Sequence, residues 1–346
     1  SWTRCLREAL YQPHVFHSLG DSVGSDDPML VEMICKHLLT ARGIEASPEE
    51  VLITVGSQQG LDLLGRLLLG PAQLVAMENP GYLDARHIFL RTGAQMRGIE
   101  VDAGGLQPPE SLAGVDLLYL TPSHQHPTNV TLSIGRRRQL LAQAAAAGTV
   151  LVEDDYDSEF RYQGSPTPAL KALDRTGDAV YLGTFSKFLS PGLRLGYLVG
   201  PRELVAELRE VRRYVLRHPP GHLQRALALL IESGEYHRSL RRYRTKLMRK
   251  WSSTCAAVQE HLPWSQQPFP PGGVSLWMSG PAELDCRELV AAAERVGILI
   301  EPGDIFYLQQ DPPRQHFRIG FSAIALRSID EGITLLGEVG NELLAR

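Results

Sequence analysis

The feature that most constrains the fold is a series of short segments that are apolar on both sides. VLITVG (51–56), DLLYLTP (116–122), TVLVEDDYD (149–157), AVYLG (179–183) and LGYLVG (195–200) lack the in–out alternation of a half-buried strand. A strand apolar on both faces has to be covered on both faces, which is the condition inside a mostly parallel sheet flanked by helices. LVAMENPGY (74–82) adds a strand ending in a Pro-Gly turn, and 94–101 adds another. Between these segments, 57–70, 82–92 and 133–148 carry helical periodicity, and 28–43 reads as a helix closed by Gly43. Strand and helix alternate, so the sequence predicts an α/β fold with a seven-stranded, mostly parallel sheet.

After Pro201 the texture changes to long Arg/Leu/Glu-rich helices. GGVSLWMS (272–279), GILIEPG (297–303) and HFRIGFS (316–322) then read as strands of a smaller α+β unit. A length of 346 residues suits two domains. We expect a helical segment at 1–13, a large domain at 14–205 and a small domain at 206–346. A net charge of −4 gives no bulk attraction to nucleic acid or to an anionic membrane. Arg238, Arg241, Arg242, Arg244 and Arg249 cluster with the spacing of one solvated helix face. The cysteines (Cys5, Cys35, Cys255, Cys286) form no CxxC pair and read as reduced thiols of a cytoplasmic protein. No apolar run is long enough to span a bilayer.

In an open parallel sheet, ligands sit outside the carboxyl ends of the strands. Polar residues collect at those ends here. Ser57 and Gln58 follow one strand, Tyr82 another, and SHQHPTN (123–129) a third. Asp154, Asp155 and Tyr156 follow the fourth, and Thr184, Ser186 and Lys187 the fifth, with Arg194 seven residues on. A shielded lysine amine can attack a carbonyl and form a Schiff base. Ser57, Thr184, Ser186 and Arg194, with backbone N–H groups at the helix start after Gly56, suit a phosphate. A buried carboxylate such as Asp154 can keep a pyridine nitrogen protonated, which is how pyridoxal phosphate (PLP) becomes an electron sink. Tyr156 can bond the ring hydroxyl, and Tyr82 can stack on the ring.

TPSHQHPTNVTLSIGRRRQLL (121–141), VEDDYDSEFRY (152–162) and GTFSKFLSPGLRLGYLV (183–199) give the chain a family likeness. Together with the opening W-x-x-x-L-R-E-A-L they resemble the fold type I PLP-dependent aminotransferases, and most narrowly the aminotransferase-like domain of the MocR group of GntR-family regulators. The resemblance implies PLP as cofactor, with Lys187 as its Schiff-base lysine and Asp154 at the pyridine nitrogen. Asp155 would take that place only if the register slipped by one. It puts Tyr156 at the ring hydroxyl, Tyr82 on the ring face, Ser57, Gln58, Thr184, Ser186 and Arg194 at the phosphate, and Arg318 of HFRIGFS on the substrate carboxylate.

The sequence departs from the family where aminotransferases carry Asn-Pro-Thr-Gly. Here the stretch is His126-Pro127-Thr128-Asn129. A histidine against the ring hydroxyl can still donate a hydrogen bond, and its protonation is expected to vary near neutral pH. Asn129 tolerates the left-handed backbone a glycine would supply. The regulator relatives also tend to lack that asparagine, so the departure favours a regulator.

Two functions stay open. In one, the chain is the effector-sensing domain of a MocR-type regulator, in which a small amino compound forms an external aldimine with PLP on Lys187. DNA would be bound only through an N-terminal winged-helix domain that residues 1–50 do not contain. The start at Ser1-Trp2, without an initiator methionine, favours this reading. In the other, the chain is a free-standing aminotransferase passing an amino group from an amino acid to a keto acid. Either way the resemblance implies a homodimer, with Tyr214 and Arg217 near its interface, and no membrane.

Overall fold

The computed structural model describes residues 1–177, 179–265 and 269–345. The expected strands are present as β1 (Val51–Thr54), β2 (Leu74–Asn79), β3 (Gln95–Asp102), β5 (Leu117–Leu120), β6 (Val150–Asp155), β7 (Ala179–Thr184) and β8 (Gly196–Val199). A two-residue β4 (Gly105–Leu106) folds back on β3 and makes the sheet eight-stranded, in the order β1-β8-β7-β6-β5-β2-β3-β4. Strands β3, β2, β5, β6 and β7 are parallel neighbours. β8 runs antiparallel to both β7 and β1, so β1 points the same way as β7.

The apolar strands divide their residues between two cores, one on each face. Val75, Met77, Leu117, Tyr119, Val152, Val180 and Leu182 enter one with Leu61 and Leu64 of the helix Ser57–Leu68. Ala76, Leu118, Leu120, Leu151 and Ala179 enter the other with Leu140 and Ala144 of the helix Ile134–Ala147. This two-sided cover explains why alternation is missing from the sequence. The helix Ile134–Ala147 starts at Ser133, whose Oγ accepts from the Arg136 N–H at 3.4 Å, and stops at Gly148 in the left-handed conformation.

Another core joins the helix Trp2–Ala9 to the helix Gly221–Glu232, with Leu30 and Ile34 between them. The expected boundary after residue 205 falls inside the helix Arg202–Leu216, whose Val205 and Leu208 are buried against the large sheet. The expected helix over 28–43 is α-helical over Pro28–Met33 and then widens into a π-type segment over Ile34–Leu39. The long helix Glu235–His261 carries the five clustered arginines, all exposed, with Arg238 paired to Glu235 at 2.6 Å. β9 (Ser275–Ser279), β10 (Glu301–Pro302) and β11 (His316–Gly320) form the three-stranded antiparallel sheet of the smaller unit, order β10-β11-β9. Its core holds Leu276, Met278, Phe317, Ile319 and Leu336.

Candidate functional site

The C-terminal ends of β1, β5, β6 and β7, with the turn after β2, open onto one cavity of about 200 Å³. Its walls bring together Ser57, Gln58, Tyr82, His126, Asp154, Tyr156, Thr184, Ser186, Lys187 and Arg194. Tyr119, Thr121 and Pro191 line it as well.

Asp154 lies on β6 on the face shared with Tyr119, whose hydroxyl donates to its Oδ2 at 2.9 Å. Its Oδ1 is buried without a partner. Burial pushes the Asp154 carboxyl up to about 7, with the Tyr119 hydrogen bond and Lys187 pulling the other way. Asp155, one residue on, points to the opposite face of the sheet. Its Oδ2 accepts from the Arg42 guanidinium at 2.8 Å, from Tyr181 at 2.7 Å and from Ser158 at 2.8 Å, and its Oδ1 is buried without a partner. Burial raises its carboxyl, but Arg42 and the hydroxyls outweigh that and hold it below the usual carboxylate range. A register slip that would exchange the two aspartates is therefore absent.

The helix Ser57–Leu68 begins directly after Gly56, which has φ +77°. A Cβ at Gly56 would lie 3.0 Å from a guanidinium nitrogen of Arg194, so glycine is what lets that arginine approach the helix start. Arg194 is itself left-handed, at φ +49°. The first backbone N–H groups of the helix, Ser57, Thr184, Ser186 and Arg194 make one cationic, donor-rich corner. Gln58 donates to Tyr82 at 3.3 Å and to Asp84 at 2.7 Å, while the Tyr82 hydroxyl donates to Asp84 at 3.0 Å.

Lys187 differs from the shielded lysine expected from sequence. It is exposed, on a Ser/Pro/Gly-rich loop at the cavity mouth, with Nζ 5.7 Å from the centre of the Tyr156 ring.

With this geometry in place, the chain can be set beside known proteins. The family described as aminotransferase class I and II matches residues 4–335. The chain belongs to this family. It is 41% identical over 333 residues to the HTH-type transcriptional regulator TauR of Rhodobacter capsulatus, covering 96% of this chain and 69% of that protein. It is 32% identical to the probable rhizopine catabolism regulatory protein MocR of Rhizobium meliloti, covering 97% of this chain and 68% of that one. Among solved structures, the Pyrococcus horikoshii kynurenine aminotransferase, crystallised with PMP, superposes with a TM-score of 0.92 at 29% identity, covering 99% of this chain and 86% of its own.

Two features of this aminotransferase-family site differ from the sequence expectation. His126 is enclosed by Tyr82, Tyr156 and Phe306, with ring centres 5.1, 6.1 and 5.3 Å away. Burial, then Arg318 and Lys187, push its imidazole well below the usual range, so it is neutral rather than titrating near neutral pH. Its Nδ1 is buried without a partner. Arg318 is not in the cavity wall. Its Nε donates to Ser275 Oγ at 3.0 Å and its Nη1 to Glu301, and its charge reaches His126 and Tyr156. Asn129 has φ +59°, the left-handed conformation expected of it.

Sequence reasoning missed Tyr119, Thr121, Phe306 and Glu301. Tyr119 left one signal, a hydroxyl inside a wholly apolar strand, which must find a buried partner. Tyr214 is exposed, and Arg217 pairs with Asp21 on the surface. Among the described residues no helix is long and apolar enough to cross a membrane, and the cysteines are free thiols.

Proposed function

We propose that this chain is the PLP-binding, effector-sensing domain of a MocR-type transcriptional regulator. The observation that carries the reading is the trio of unpartnered buried atoms on cavity residues, Asp154 Oδ1, His126 Nδ1 and Ser186 Oγ. Buried polar groups usually have a partner, and these three face one cavity with room for a shared one. A pyridine nitrogen, a ring hydroxyl and a phosphate would complete this set. The regulator relatives favour a sensor over an enzyme.

Bound there, PLP supplies an aldehyde that captures amines and a ring that withdraws electrons. Lys187 supplies the amine that anchors it. Asp154 accepts from the ring nitrogen, and a cationic nitrogen there favours the ionised carboxylate that burial opposes. Ser57, Gln58, Thr184, Ser186, Arg194 and the helix start hold the phosphate. Tyr156 donates to the ring hydroxyl, Tyr82 packs on the ring, and neutral His126 offers one further polar contact at that edge. Arg318 meets the acidic group of a small amino-compound effector with its planar fork. The sites, the homodimer, a cytoplasmic location and DNA binding through an attached winged-helix domain belong to the same proposal. So does a large domain that extends past residue 205 into the long helix Glu235–His261.

Aminotransferase turnover is the second reading, favoured by the close fit to a kynurenine aminotransferase. Visible absorption decides between them. The loaded protein is expected to be yellow, and Lys187→Ala to lose that band; a chain that takes up no PLP overturns the cofactor reading. An amine that shifts the band lastingly, with no keto acid consumed, marks a sensor. Cycling of the band with stoichiometric turnover marks an aminotransferase.

A further inference from the structure

Arg318 already has an anion of the protein's own. β10 pairs with β11 so that Glu301 stands directly opposite Arg318, and the Glu301 carboxylate accepts from Nη1. The two side chains are held very differently. Arg318 is only 15% exposed, and its Nε is tied to Ser275 Oγ. Ser275 is buried and also receives the Asn129 side-chain amide, which fixes the guanidinium to the large domain. Glu301 is 50% exposed, sits on a two-residue edge strand, and makes no other side-chain hydrogen bond among the described residues.

We propose that Glu301 is a specificity-determining residue: an internal carboxylate on the Arg318 guanidinium that the acidic group of the effector has to displace. This rests on the reading of Arg318 as the effector's anchor. The asymmetry of the pair sets the direction of exchange. Arg318 is anchored and stays; Glu301 can rotate into water, where a carboxylate is well solvated and loses little. A planar carboxylate or a sulfonate that engages the guanidinium through paired N–H···O bonds replaces the single contact from Glu301. An amine without an acidic group has nothing to exchange and leaves the pair closed. Glu301 thereby sets a threshold: an acidic group enters only if it binds the guanidinium better than Glu301 does, and an amine without one is indifferent to it.

The test compares wild type, Glu301→Gln and Arg318→Gln with β-alanine, taurine and n-propylamine as probes. Binding is read by calorimetry on the cofactor-free chain and by absorption on the loaded chain. Glu301→Gln keeps the size of the side chain on a half-exposed edge, and circular dichroism checks its fold. It is expected to tighten β-alanine and taurine by roughly two- to fivefold, the scale of one half-exposed ion pair. Propylamine should be unaffected, and Arg318→Gln should weaken both acids. β-Alanine and taurine differ only in the acidic group, so their ratio tells carboxylate from sulfonate. Equal binding in wild type and Glu301→Gln, an equal gain for propylamine, or no heat from any folded variant overturns the proposal. If the calorimetric gain appears but the chain takes up no PLP, the Glu301 exchange stands and the cofactor reading falls.

Discussion

Asp154 and Asp155 are consecutive residues at the end of one strand, and the sheet puts them into opposite electrostatic situations. On the cavity side, Asp154 has one hydroxyl partner, one bare oxygen and a carboxyl pushed up to about 7. On the other side, Asp155 has a guanidinium and two hydroxyls on one oxygen, a bare second oxygen, and is held below the ordinary range. Both are buried, so burial alone does not distinguish a site from a scaffold. One oxygen of each is bare, so the difference lies in charge pairing and in what each carboxylate faces. Asp155 is paired with a guanidinium inside the protein, while Asp154 has no cation on it and faces an open cavity.

Removing each aspartate should break the comparison in opposite ways. Asp155→Ala leaves the largely buried Arg42 guanidinium without its carboxylate and Tyr181 without its acceptor. Loss of one partner of such a pair is expected to cost about 3–5 kcal/mol in urea unfolding, with Lys187 chemistry unaffected in the protein that remains folded. Asp154→Asn should act on pH dependence instead. The folded pKa of Asp154 is raised, so the folded state keeps a proton that the unfolded chain has lost. Its contribution is therefore full below about pH 4 and declines as pH rises to about 7. In the cofactor-free chain, Asp154→Asn should flatten the fall in stability between those limits by up to about 4 kcal/mol. Glu78 and Glu159, also pushed up to about 7 by burial, keep the rest of the slope in place. The same variant should weaken PLP uptake, which Asp155→Ala should not.

The contrast also explains what the sequence made legible. Strands apolar on both faces announce a covered sheet, and polar residues at their ends follow from strand direction, so Ser57, Asp154, Tyr156 and Ser186 could be found without coordinates. Side-chain pairing could not. Which of the two aspartates is paired with a cation depends on Arg42, more than a hundred residues away. The neutrality of His126 depends on Phe306 from the smaller unit, and the Glu301–Arg318 pair on the register of β10 against β11. Periodicity fixes which face a residue takes within its own strand; it does not say which distant chain segment meets it there.

Asn129 offers a smaller test of the same distinction. It sits after β5 near the cavity, yet like Asp155 it is paired inside the protein: its amide donates to the Ser275 carbonyl at 2.6 Å and to Ser275 Oγ at 3.2 Å. If pairing inside the protein separates scaffold from site, its loss should cost stability and leave the visible band of the loaded protein in place. Asn129→Ala removes these hydrogen bonds from a buried acceptor and also places a Cβ residue less tolerant than asparagine at φ +59°. Asn129→Gly removes the same bonds but adopts that backbone freely. Thermal unfolding should show a loss of roughly 1–3 kcal/mol for Asn129→Ala, and a smaller loss for Asn129→Gly, the difference being the backbone's share. A loss of the band in Asn129→Gly, at unchanged stability, would move Asn129 to the side of Asp154 and remove pairing inside the protein as the criterion.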